Sequence, residues 1–224
     1  MKSGGVHMAE HAEIGPSGLG AIMLCPGMVR MQRGRKDATS FAAANGTVAH
    51  MIGEKLLKGK RPNIFPGEKI TQEGHEIPVD KDMLDAVQVY IDHVNEIRER
   101  NKDNYCIEGI EAKGDLGFLG IPEVFGTCDY SLSVPFKTLY VRDYKHGQGV
   151  LVDAVDNPQL MAYALIAGQG MIGTFDTIDM GIVQPRGRSG ETIKTWQTTP
   201  SELMEWVESE LKPTVKLAMS KDAP

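Results

Sequence analysis

The stretch 126-GTCDYSLSVPFKTLYVRDYK-145 decides the reading of the fold. Over 126–134, Thr127, Asp129, Ser131 and Ser133 alternate with Cys128, Tyr130, Leu132 and Val134, the period-two pattern of a strand with one apolar face. Pro135-Phe136-Lys137 supplies a turn, and 138–145 reads as a second strand. Two strands so closely joined predict a hairpin. In it Asp129 and Asp143 lie on neighbouring strands, and Asp143 and Lys145 share one face because side chains alternate.

Outward from the hairpin, helical and strand patterns flank it on both sides. Upstream, 82–100 is the clearest helix: Met83, Leu84, Val87, Tyr90, Ile91, Val94 and Ile97 form one apolar stripe. Residues 41–57 read as another, with Ala44, Val48, Met51, Ile52 and Leu56 at helical spacing and Gly46 weakening its start. A short helix within 17–31 is ended by Cys25-Pro26-Gly27. The segment 59–80 holds three prolines and three glycines and reads as loop. Residues 105–112 alternate weakly as a strand. Downstream, 157–168 is a helix with Pro158 in a tolerated first-turn position. Residues 177–184 and 192–198 read as a strand pair. A final helix spans 201–219, with Ser201 as cap and Glu202 and Glu205 near its positive end. This order predicts an α/β protein whose mixed sheet, of α+β type, is flanked by helices.

A length of 224 residues suits one globular domain, expected over 17–224, after an N-terminus (1–16) that is flexible or a leftover of cloning. Hydrophobic residues make up 41% and charged residues 24%, an ordinary globular balance. No apolar run approaches the ~20 residues of a membrane span, and the N-terminus lacks the apolar centre of a signal peptide. A cytoplasmic protein without membrane partners is expected. Cys25, Cys106 and Cys128 show neither zinc-ribbon nor disulfide-framework spacing and read as reduced thiols. The net charge of −6 does not advertise nucleic-acid binding, but its distribution is uneven. Over 28–61, eight basic residues stand against only Asp37 and Glu54, a net +6 that leaves −12 for the rest. Arg30, Arg33, Arg35 and Lys36 could build a phosphate-binding face, or simply a solvated surface.

Several residues could carry chemistry. Converging Asp129 and Asp143 would repel one another, and a hard divalent cation relieves that repulsion. Lys145 beside them could polarise water or steady charge on a phosphate. On spacing alone, an ordinary cross-strand surface pair of Asp143 and Lys145 is the plainer reading. Gln159 and Tyr163, four apart, would share a helix face; an exposed Gln and a half-buried core Tyr is the plainer alternative. His50 stands inside a helix, where it could ligate a metal or merely sit at the surface.

In combination, the order Gly46-Thr47-Val48-Ala49-His50, then Gly126-Thr127-Cys128-Asp129, then Asp143-Tyr144-Lys145-His146-Gly147, then Asp156-Asn157-Pro158-Gln159-Leu160 and Tyr163 resembles the RecB-like branch of the PD-(D/E)XK nucleases. Within that branch it looks most like phage-type exonucleases with an early Cys-Pro-Gly segment, here Cys25-Pro26-Gly27. The likeness spans about residues 17–184. It implies a restriction-endonuclease-like core and hydrolysis of DNA phosphodiesters. His50, Asp129, Asp143 and the Tyr144 carbonyl would hold Mg²⁺ or Mn²⁺, and Lys145 would act on the attacking water. Glu111, expected at the end of the preceding strand, would add a carboxylate contact, and Gln159 and Tyr163 would brace the site. Asp143 stands where many relatives carry Glu, so its shorter arm shifts the ligand position. Some relatives hold an iron–sulfur cluster through four cysteines; the later cysteines of that pattern are absent here, so no cluster is expected.

The resemblance favours an exonuclease acting on DNA ends or single strands in viral replication or recombination, inside a host cytoplasm. A single-strand annealing or replication protein would be its partner. A structure-specific endonuclease, cutting flaps or branches, would share every site residue. A non-catalytic nuclease-like scaffold is the third reading, and intact Asp129, Asp143 and Lys145 argue against it.

Overall fold

The computed structural model describes residues 13–34, 38–60, 65–188, 191–221 and 223. A five-stranded mixed sheet lies at its centre: β3 (Ile107–Leu116), β4 (Ile121–Ser133), β5 (Thr138–Tyr144), β6 (Thr177–Val183) and β7 (Ile193–Thr198), side by side in that order. Only β5 and β6 run parallel; the other neighbours are antiparallel. The crossover between β5 and β6 carries α5 (Pro158–Ala167), as a parallel connection requires. The mixed sheet flanked by helices is the architecture the sequence predicts.

Helices cover both faces. On one, α5 packs with α1 (Leu19–Leu24), α2 (Met28–Gln32), α6 (Pro200–Trp206) and α7 (Lys212–Met219) over Cys128, Leu139, Val141 and Met180. On the other, α3 (Phe41–Leu57) and α4 (Lys81–Arg100) pack over Tyr130, Leu132, Tyr144 and Val183. Helix α4 begins where Asp80 accepts from the Met83 amide at 2.8 Å, and its stripe of Met83, Val87, Tyr90, Ile91, Val94 and Ile97 is buried as its period requires. Helix α5 is buried from Leu160 to Ile166, which suits a helix apolar on nearly every side. Asn157 caps it by accepting from the Gln159 and Leu160 amides.

Three expectations need correction. The 59–80 segment contains a hairpin of β1 (Lys69–Gln72) and β2 (His75–Pro78), joined by Glu73-Gly74. Both turn residues have positive φ, 48° and 81°, as the tightest hairpin turns demand. The last helix starts at Pro200, one residue before the expected Ser201. Thr199 is its cap, and Glu202 reciprocates in a capping box. It is then interrupted by a π-helical turn, Val207–Leu211, ahead of Pro213, which cannot donate a backbone hydrogen bond. Packing also reaches back beyond Ser17: Ile14, inside the expected flexible 1–16 segment, is buried and bridges Val124. Residues 1–12 lie outside the described residues. Among the described residues, no helix is long and apolar enough to cross a membrane.

Candidate metal centre

Inside β4, where its pairing with β5 begins, the strand departs from regular alternation. Cys128 packs into the α5-side core and Tyr130 into the α3/α4-side core, although two residues apart they are expected to share a face. Between them Asp129 enters the site, 7% exposed, and its Oδ2 accepts from the Tyr144 amide on β5 at 2.8 Å. Gly126 permits the chain to enter here, since a Cβ would meet Pro16 at 2.6 Å. Glu111, expected at a strand end, sits within β3 at the position facing Asp129, between the pairs Ile110–Tyr130 and Ala112–Cys128. Its φ of 52° is left-handed, a conformation a non-glycine residue adopts only at an energetic cost.

Helix α3 brings His50 to these acids. Its Nδ1 lies 3.5 Å from Asp129 Oδ2 and 3.8 Å from Glu111 Oε1. One ligand atom from each of His50, Glu111 and Asp129 falls within 4.8 Å of the others, a donor set able to hold a metal ion. Asp143 approaches from the α5 side and is 2% exposed. Its Oδ2 pairs with Lys145 Nζ at 2.9 Å, and its Oδ1 accepts from Gln159 Nε2 at 3.1 Å. Gln159 Oε1 accepts from Lys145 Nζ at 2.9 Å, so the glutamine binds both partners of the ion pair. The same Nε2 reaches Tyr163 Oη at 3.1 Å, as their four-residue spacing predicts.

The electrostatics are those of buried acid with too little counter-charge. Burial, with Asp143 nearby, pushes the Asp129 carboxyl up to about 7. Burial also raises Asp143, against the opposing pull of Lys145. Burial works against the His50 imidazolium, yet Glu111, Asp129 and Asp143 lift it to about 9. A proton on His50 thus stands where a cation would serve better. Tyr90, placed in the apolar stripe of α4 by its spacing, stacks on Tyr144 with ring centroids 5.1 Å apart. Its buried hydroxyl has no hydrogen-bond partner among the described residues, and burial and Asp129 raise it well above the usual phenol range. Two carboxylates, one imidazole and an orphaned hydroxyl fit a divalent cation with bound water.

A family model described as a protein of unknown function, DUF2800, matches residues 11–223. The chain belongs to this DUF2800 family. Among solved structures, the DUF2800 chain is similar to a "putative exonuclease" from Eubacterium rectale, at 12% identity and a TM-score of 0.49, over 97% of this chain and 86% of that one. A second, described as SSO0001, gives 9% identity and a TM-score of 0.25, over 92% and 97%.

Two of the four expected phosphate-binding residues make contacts within the chain. Arg30 donates to the Lys221 carbonyl at 2.8 Å, and Arg33 pairs with Glu13 at 3.0 Å. Arg35 and Lys36 fall outside the described residues. Sequence reasoning left two further residues without a role. Gln184, just past β6, accepts from the Val152 amide and donates to the Gly147 and Val150 carbonyls, pinning the loop that follows Lys145. His146 is buried, and burial together with Arg186 holds its imidazole down to about 4. A buried glutamine with three loop contacts leaves no signature in sequence spacing.

Proposed function

We propose that residues 17–224 form one metal-dependent deoxyribonuclease domain of the RecB-like PD-(D/E)XK kind. The observation that carries this reading is the convergence of His50, Glu111 and Asp129 beside an Asp143–Lys145 pair bridged by Gln159. His50, Glu111 and Asp129 would hold Mg²⁺ or Mn²⁺, with Asp143 and the Tyr144 carbonyl adjoining, and the imidazole favours Mn²⁺. Such a cation, when bound, polarises a phosphoryl oxygen and lowers the pKa of a coordinated water.

The protein's own groups do the rest. Lys145 is fixed by Asp143 and Gln159, so its ammonium meets an incoming phosphate in a set orientation rather than on a free four-carbon arm. There it offsets negative charge building on the phosphate as the water oxygen bonds to phosphorus and the ester bond breaks. Tyr163 fixes Gln159 in turn. The favoured substrate is a DNA end or single strand.

End-labelled linear, circular and flapped DNA, incubated with and without Mg²⁺ or Mn²⁺, test this directly. Shortening of linear strands only with metal is the expected result. Cutting of circles or flaps would replace the exonuclease reading with an endonuclease one. Metal-independent binding with no cleavage of any substrate would leave only a scaffold and overturn the proposal.

A further inference from the structure

His146 and Gln148 follow Lys145 closely and take no part in the metal centre, yet both engage one cation. Arg186 Nη1 lies 2.6 Å from His146 Nε2, while Tyr144 Oη lies 2.7 Å from His146 Nδ1. With its amide oxygen turned to the guanidinium, Gln148 accepts from Arg186 Nε at 3.1 Å and from Nη2 at 2.6 Å. A guanidinium only donates and does not lose its proton. His146 Nε2 must therefore accept, so Nδ1 carries the ring proton and donates to Tyr144 Oη. Two neutral acceptors thus hold Arg186 from two sides.

The arrangement leaves two of the guanidinium N–H groups beyond those that His146 and Gln148 accept. A guanidinium has five N–H bonds; one from Nε and one from each Nη are taken. The Nη2 proton turned away from Gln148, and the Nη1 proton that His146 does not take, remain as donors for the oxygens of a phosphate. Among the described residues no carboxylate forms an ion pair with Arg186. The shallow cleft around it is lined by Asp82, Asp85, Ala86, Val89, Gln148 and Pro185; Asp82 and Asp85 are exposed, and Asp85 is paired with Lys81 at 2.7 Å. The cleft is linked to the metal centre through the β5–β6 pair and the buried Tyr144 ring. Arg186 lies three residues past Val183, which pairs with Tyr144 and accepts from the Lys145 amide at 2.8 Å. The Tyr144 ring that touches His146 is 5.3 Å from the His50 ring, centroid to centroid.

The geometry points to Arg186 as a substrate-positioning residue that takes a phosphate of the DNA strand on its remaining N–H groups, with His146 and Gln148 setting its orientation. This rests on the nuclease reading. The phosphate is either a strand terminus or an internal phosphodiester, and one set of measurements separates them. Fluorescein-labelled oligodeoxynucleotides, with and without terminal phosphate, are titrated with wild type, Arg186→Gln, Arg186→Lys and His146→Ala in Ca²⁺. Arg186→Gln should raise Kd about tenfold or more and lower the salt dependence by about 0.7 in log–log slope, one phosphate's worth on a single strand. The single-turnover rate at saturating DNA should change little, because the contact is present in ground and transition states alike. Arg186→Lys should keep the salt slope and still bind weakly, since it lacks the fork. His146→Ala should reproduce part of the loss and add nothing to Arg186→Gln.

A loss confined to terminally phosphorylated strands assigns the contact to the end; a loss on all strands assigns it to the chain interior. Unchanged Kd and slope in folded Arg186→Gln, beside a wild type that binds and cleaves, overturn this inference alone. Should that variant not fold, wild-type affinity in Arg186→Lys overturns it. A wild type that neither binds nor cleaves DNA overturns the nuclease reading and this inference together.

Discussion

Adjacent residues of β5 enter two buried polar clusters of opposite character. Arg142, 2% exposed, faces α4. It pairs with Asp179 at 2.7 Å, donates to the Val141 and Asp179 carbonyls, and gives its Nε proton to His93 Nε2 at 2.8 Å. Gln197 donates to the other Asp179 oxygen at 2.8 Å. Gly181 makes the room, since a Cβ there would press Arg142 Cδ at 3.1 Å. Asp143, the next residue, faces the site where Glu111, Asp129 and Asp143 outnumber Lys145, and where only a proton on His50 helps. The first cluster balances its own charge; the second is balanced only when something from outside arrives. Burial alone marks neither as functional. The missing counter-charge does.

The largest effect should come from breaking the closed cluster. Arg142→Ala leaves Asp179 buried and unpaired, and should cost about 3–5 kcal/mol in urea unfolding. A loss under ~1 kcal/mol, the value of an exposed pair, would mean that the cluster is not buried in solution and would remove the contrast. Next in size is Lys145→Ala, expected to slow single-turnover cleavage about 10²–10³-fold while melting near wild type. Normal cleavage would return Asp143 and Lys145 to the status of an ordinary ion pair.

The contrast itself reflects what sequence can and cannot convey. Helices α3, α4 and α5 and the β4–β5 pair were legible because each buries a face wide enough to impose its period on the residues. The β1–β2 hairpin was not: four-residue strands carrying Ile70 and Ile77 as their apolar members hide among prolines and glycines. Asp129, Asp143, Lys145, Gln159 and Tyr163 were readable as an ordered set. The break in alternation at Cys128 and the left-handed Glu111 were not, because both arise from how β3, β4 and α3 meet. Likewise Arg142 reads as an unremarkable strand residue until His93 and Asp179, far away in sequence, close around it.

A smaller effect sharpens the open side of the comparison. Asp129→Asn keeps an oxygen for the Tyr144 amide and removes the buried charge. The native pKa of Asp129, about 7, lies above its unfolded value. Wild-type stability therefore falls as pH rises from about 4 through 7, and the variant should lack that decline. At pH 8 the metal-free variant should be more stable by on the order of 1–3 kcal/mol, and excess Mn²⁺ should no longer raise its melting temperature. A variant less stable than wild type at pH 8, or one still stabilised by Mn²⁺, would show that the acids are already balanced.

The smallest effect lies with His93. Burial and then Arg142 hold its imidazole down to about 4, below the unfolded value of 6.5. Between those values the unfolded chain binds more protons, so this group's contribution is lost as pH falls from about 6.5 towards 4. His93→Gln should flatten that limb of the stability curve, best measured in the Asp129→Asn background, where one of the two opposing carboxyls is gone. An unaltered limb would place the His93 ring in water.

The left-handed backbone of Glu111 sets a limit on how this protein could be improved. Glycine at that position would relieve a strain of about 1–2 kcal/mol, and neutral residues at 129 and 143 would remove buried charge. A library of variants selected for thermal resistance alone should therefore converge on changes that erase the acids proposed to hold the metal. Selection for robustness and selection for activity pull this scaffold in opposite directions, and the conflict is concentrated at a few positions facing one another across β3, β4 and β5.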